Sequence, residues 1–307
     1  MSDATLTRER PIAVAPAHTA TGWFRNPWRK PRFLQAVTIG YLAWSILPVI
    51  IAIVFSFNNG RSRSTWQGFS LRWWYQDPFD SVWHDPALRT AMFQTLRLST
   101  LTVLLAVPLG TAFAIGIDRW HGRPASTANF FMLFSFVMPE IILGVSLFLL
   151  FTNLLESAVR LGTTAQFLGL VTFQMSYPVI IVRARLLSIG PEYEEAAMDL
   201  GAPPSQSLRR VLLPLLGPAI LASAALVFAD SVDDFVTVRY LSGPASSEPL
   251  SVKIYSAARA SPTPAVNAAA TIMLITTLGA IALAWFVFRR ITRNRGEAVS
   301  AAGLAEF

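Results

Sequence analysis

Apolar residues in this chain fall into six long blocks, at about 33–57, 92–117, 128–152, 165–187, 208–230 and 266–288, separated by polar stretches. A hydrocarbon layer about 30 Å thick is crossed by roughly 20 predominantly apolar residues in a helix, so each block is long enough to span. None alternates apolar and polar residues at period two, which a membrane β-barrel requires. The pattern therefore predicts an all-α integral membrane protein with six transmembrane helices. Prolines at 48, 108, 139, 178, 214 and 218 lie inside the blocks. In a bundle, neighbouring helices can satisfy the backbone groups that proline frees, so these positions are expected to kink the helices rather than interrupt them.

Composition agrees with the pattern. Of the 307 residues 53% are hydrophobic and 14% charged, and the mean hydropathy is +0.47. The net charge of +7 does not indicate nucleic-acid binding, because the arginines sit at block ends rather than along one soluble face. Their distribution sets an orientation, since cytoplasmic segments retain Lys and Arg. Arg8, Arg10, Arg25, Arg29, Lys30, Arg32, Arg119, Arg123, Arg183, Arg185, Arg209, Arg210, Arg289, Arg290, Arg293 and Arg295 share one side when both termini are placed inside, and they are the majority of the basic residues. Residues 1–32 then form a cytoplasmic tail, 58–91 an outside loop and 289–307 a second cytoplasmic tail. The first block is too long for a cleaved leader and reads as a retained anchor.

Catalytic inventories are missing from the sequence. There is no cysteine. The two lysines, Lys30 and Lys253, stand in no phosphate-cradling glycine loop, and His18, His84 and His121 are too scattered for a local zinc pattern. No serine has the G-x-S-x-G setting of a nucleophile elbow. The chain reads as a non-enzyme without a metal or cofactor of its own.

Two polar stretches are unusual. Residues 58–91 carry Trp66, Trp73, Trp74, Tyr75 and Trp83, either as an aromatic belt that fixes depth or as a platform for a ligand. Residues 238–271 are expected as a long outside loop that docks a partner or covers an entrance. No internal repeat is evident, which argues against a secondary transporter built from inverted halves.

The segment PEYEEAAMDLGAPPSQSLRRVLLPLL, starting at Pro191, places four carboxylates between two apolar blocks. Proline at the helix start and Glu192, Glu194 and Glu195 in the first turn suit the positive end of a helix dipole, and Gly201 suits its termination. A helix of about ten residues would carry Tyr193, Ala196, Ala197 and Leu200 on one face and Glu194, Glu195, Met198 and Asp199 around the other. The small alanines and the glycine make a thin knob fit to enter a groove.

Glu195-Ala196-Ala197, then Gly201 three residues on, then Val211-Leu212-Leu213-Pro214 after nine more, resembles the EAA motif of type I ABC importer permeases, with Val in place of Ile. SFNNGRSRSTWQGFSLRWW, VMPEIILGVSLFLLF, SVDDFVTVRYLSGP and LSVKIYSAARASPTPAVNAAAT are similar to the PotC-like spermidine/putrescine subfamily. The resemblance implies a type I ABC importer permease fold over 92–288, with a coupling segment at 190–207. Glu194, Glu195, Ala196, Ala197, Asp199, Leu200, Gly201 and Pro214 would couple it to a separate, homodimeric ATP-binding subunit that holds ATP and Mg. A second permease subunit, a periplasmic solute-binding protein and the lipid of a bacterial inner membrane complete the implied partners.

By the same resemblance Glu140, Asp233 and Asp234 would line a substrate pathway for polyamine, with Asp230 nearby. A carboxylate within a span costs about 2.5–3.5 kcal/mol on insertion scales, so Glu140 should face a wet cavity or a partner. A structural acid at a proline kink and helix-capping aspartates are the alternatives. Leu170 stands where the family usually carries histidine, and Pro178 lies two positions beyond the family's proline. Import of an opine, an amino-acid-like amine or ferric ion therefore stays open. A channel or proton-coupled carrier built on Glu140, or a membrane scaffold, would have no use for the acidic helix or the pathway carboxylates, respectively.

Overall fold

A computed structural model of the chain describes residues 32–62, 65–119, 122–260 and 263–293. The expected amino-terminal tail to residue 31, including His18 and Lys30, as well as His121 and the chain beyond 293 with Arg295, lie outside the described residues. Twelve helices are present among them: α1 (Arg32–Phe55), α2 (Pro86–Arg119), α3 (Arg123–Val137), α4 (Glu140–Leu149), α5 (Thr163–Gln174), α6 (Ser176–Ile189), α7 (Glu192–Asp199), α8 (Pro204–Ser207), α9 (Leu213–Asp233), α10 (Val236–Tyr240), α11 (Leu250–Ala260) and α12 (Pro264–Arg293). One isolated bridge, Asn58 to Phe69, is the sole strand-like pairing described. Five segments are long and apolar enough to cross a membrane: Arg32–Phe55, Pro86–Arg119, Thr163–Ile189, Pro204–Asp233 and Pro264–Arg290.

The third apolar block, 128–152, departs from expectation. It is two helical arms, Arg123–Val137 and Glu140–Leu154, meeting at 106°. Met138 and Pro139 are both extended, with ψ of 132° and 130°. Proline supplies no N–H to continue the ladder and pushes the residue before it out of the helical region, so Pro139 interrupts the block rather than kinking it. Glu140 thereby becomes the first residue of α4. The fourth block breaks more gently at Met175, between α5 and α6, where Pro178 leaves the carbonyl four residues before it without a donor. In the fifth, a π-turn at Leu208–Leu212 leads directly into Pro214, whose missing N–H suits such a widened turn.

α2 is the long spine of the bundle. Leu88, Ala91, Thr95, Leu98, Thr102, Ala106, Gly110, Ala114 and Ile117 are buried along it at helical spacing, giving one continuous inward stripe. The small residues in the stripe let α6 and α9 approach, which is the main source of helix association where lipid removes the usual hydrophobic drive. Gly110 is the tightest point: a Cβ there would lie 2.9 Å from the Met175 carbonyl, against the α5–α6 break.

The two ends of α2 meet different structures. At its start, Leu88 and Ala91 pack with Trp73, Leu250, Ala265 and Met273. Trp73 is fully buried and donates Nε1–H to the Asn58 carbonyl at 2.7 Å, so it is neither belt nor platform but core. Trp66, Tyr75 and Trp83 stay exposed. Of the long loop expected at 238–271, the described residues 238–260 and 263–271 are folded, with α11 pinned to α2 by the Leu250 N–H donating to Thr95 Oγ1 at 2.8 Å. At its other end, α2 meets α7.

Candidate functional site

Two acidic groups carry the candidate chemistry. The first gathers where α4 begins, α5 gives way to α6, and α9 ends. Gln174 donates Nε2–H to Asp230 Oδ2 at 2.7 Å. The phenol of Tyr177 interacts with the same carboxylate, and Glu140 lies within electrostatic reach of it. Phe136 and Phe173 meet the Tyr177 ring edge-on, with centroids 5.8 and 6.1 Å away. None of the ion pairs found among the described residues involves Glu140 or Asp230.

The adjacent aspartates divide, as their offset of about 100° on a helix requires. Asp233 is exposed. Asp234 is buried and ties three elements together: its N–H donates to the Asp230 carbonyl at 2.9 Å, its Oδ1 accepts the Val238 N–H of α10 at 3.1 Å, and its carbonyl accepts the Ser251 hydroxyl of α11 at 2.7 Å. Asp234 is thus placed as a helix cap, within electrostatic reach of Glu140 and Asp230. Gln174 and Tyr177 were not singled out by sequence reasoning. Their only signal was two polar side chains flanking a helix break just ahead of Pro178. Leu170, where the resemblance led to a histidine, is wholly buried against Leu98, Val238 and Val252.

The second group is α7, eight residues long, with Pro191 standing just before its first turn. Glu194 is turned inward, 6% exposed, and pairs with Arg119 at the end of α2. Tyr193, Glu195, Ala196, Asp199 and Leu200 face outward, Ala197 is partly covered, and Leu200 is 90% exposed. Gly201 ends the helix at φ +85°, a conformation that costs other L-residues roughly 1–2 kcal/mol, and a Cβ there would meet open space. Its N–H donates to the Met198 carbonyl at 2.8 Å and that of Ala202 to Ala197 at 3.0 Å, which closes the helix without side-chain help. The apolar residues of the knob are therefore presented outward, and one of its four acids is spent on the chain's own spine.

A bundle of broken spans around a partly exposed acidic cluster, with an outward-facing acidic helix at one end, is the form of an importer's membrane subunit. The chain belongs to the family described as binding-protein-dependent transport system inner membrane component, which matches residues 106–294. It is a multi-pass inner-membrane protein of that class. The chain is 31% identical over 279 residues to the putrescine transport system permease protein PotI of Escherichia coli K12, covering 88% of this chain and 94% of that protein. It is 32% identical over 258 residues to the spermidine/putrescine transport system permease protein PotC of the same organism, covering 83% and 94%. Among solved structures, a bacterial ABC transporter that imports the acidic polysaccharide alginate has a chain of the same fold, with TM-score 0.68, 18% identity, and coverage of 85% and 96%. The methionine ABC transporter MetNI in an inward-facing conformation gives 0.53, 19%, 68% and 95%.

Proposed function

We propose that this chain is one permease subunit of an ATP-driven importer of polyamines of the spermidine and putrescine kind. The observation that carries the reading is that Glu140 and Asp230, both in apolar segments, lie within electrostatic reach of each other and outside every ion pair of the described residues. Two carboxylates so placed are costly until a cation arrives, and a flexible polycation offsets both. The names of the relatives agree with that chemistry. A free amino acid or an opine would bring a carboxylate of its own into the same field.

In this reading both termini are cytoplasmic and the exposed side of α7 enters a cleft on a homodimeric ATP-binding subunit, where ATP and Mg are held. A second permease subunit completes the pathway, and a periplasmic solute-binding protein delivers the polyamine to the α10–α11 end. The test is reconstitution with those partners, each candidate binding protein being loaded in turn. Stimulated ATP hydrolysis and uptake with polyamine are expected. Stimulation by an opine- or iron-loaded protein, with none from polyamine, overturns the substrate assignment. Uptake by this chain without nucleotide overturns the importer reading in favour of a channel or carrier.

A further inference from the structure

We propose that Asp230, Tyr177 and Gln174 form a subsite for one primary ammonium group, which makes this permease selective for N–H-bearing amines over quaternary ones. The inference rests on the polyamine reading above and adds to it the residues that read the end of the substrate. The geometry begins with Gln174, which has no exposed surface. Only its amide N–H can donate to the Asp230 carboxylate, so its Oε1 is fixed on the other branch of the amide. That oxygen is buried and accepts nothing from the protein. A buried acceptor left unpaired is unfavourable, and here it lies beside a carboxylate that has no cation.

The three oxygen-bearing groups match the three donors of a primary ammonium: the Asp230 carboxylate, the phenol oxygen of Tyr177 and Gln174 Oε1. Tyr177 is held for this by the edge-on rings of Phe136 and Phe173. Glu140 is exposed, Asp230 and Tyr177 are partly so, and Gln174 is the closed end. An amine therefore meets Glu140 first and Gln174 last, with Glu140 free to hold a second charge of the same molecule. A trimethylammonium group satisfies the charge of Asp230 but offers no donor to Gln174 or Tyr177. Sites built around hydrogen bonds reject analogues that lack them far more sharply than apolar sites reject a change in size.

The experiment uses the complete complex of both permease subunits and the ATP-binding subunit in nanodiscs, with equilibrium binding of radiolabelled putrescine and of its bis(trimethylammonium) counterpart. Wild type is expected to bind putrescine well and the quaternary compound poorly. Gln174→Leu and Tyr177→Phe should each weaken putrescine binding by about 10-fold, the scale of one hydrogen bond to a charged group, and leave the quaternary compound unchanged. Gln174→Met, which keeps the length of the side chain without the acceptor, should weaken putrescine binding to a similar extent and leave the quaternary compound unchanged. This variant also reports on the site if Gln174→Leu fails to assemble with its partners. Equal wild-type affinity for the two compounds, or unaltered discrimination in both Gln174→Leu and Tyr177→Phe, overturns the subsite while leaving polyamine transport standing. Wild type that binds neither compound and is not stimulated by polyamine overturns the polyamine reading itself.

Discussion

The acids of α7 and the acids around Asp230 are equally conspicuous in the sequence, yet their surroundings divide them. On α7 the charge is compensated: the first turn offers its dipole, solvent covers Glu195 and Asp199, and Arg119 takes Glu194. Around Asp230 the partners are an amide, a phenol and a second carboxylate. Compensated charge fixes a shape, and uncompensated charge in a membrane span waits for a ligand. In the function proposed above, the first region carries the mechanics and the second the recognition.

The strongest way to break this division is to compensate the second region artificially. Glu140→Arg should reduce polyamine uptake by more than about 100-fold, because a fixed cation occupies the field meant for substrate. Co-purification with the ATP-binding subunit checks that assembly survives, and undiminished uptake would remove Glu140 from the pathway. The converse change uncompensates α7. Arg119→Glu should lower binding-protein-stimulated ATP hydrolysis by about 10-fold, since the buried Glu194 is left without its partner and faces a like charge. The exchange of both residues, Arg119→Glu with Glu194→Arg, should recover most of that loss, and failure of the exchange would mean that the pair does not transmit force to α2. A smaller effect is expected from Gly201→Ala: there is room for the methyl group, so only the positive φ resists it, at about 1 kcal/mol, and stimulated hydrolysis should fall two- to fivefold.

The smallest change concerns a carboxylate compensated by backbone, in the 58–91 segment. Asp77 is held down to about 2 by the N–H groups of Asp80 and Phe79 and by Arg72. Its folded-state pKa lies below the unfolded value, so its contribution to stability is complete above about pH 4 and is lost as pH falls towards 2. Asp77→Asn should remove that pH dependence from thermal unfolding while leaving uptake at neutral pH unaltered. A full loss of uptake would show that this segment takes part in transport.

Much of the fold was legible because lipid imposes length and apolarity on any spanning helix, and the blocks at 92–117, 165–187, 208–230 and 266–288 all fall within helical segments. Pro139 was not legible as a break, since a proline inside a span is compatible with either a kink or a 106° corner, and the packing around it decides. Nor was the structure at 238–271: its polar composition suits a loop, while Leu250 and Val252 are fixed only by contacts with distant helices. For the candidate site, Glu140 and the aspartates stood out because charge is rare in such segments. Gln174 and Tyr177 did not, because neutral polar residues are ordinary there, and only juxtaposition with Asp230 makes them unusual.

The three bonds of Asp234 have a mechanical consequence. One residue grips the last turn of α9, the start of α10 and the side of α11 through its amide, carboxylate and carbonyl. Those three pieces are therefore tied to one another through a single residue. In the function proposed above, a displacement of the α9 terminus, where Asp230 sits, is passed to the α10–α11 segment through that one residue.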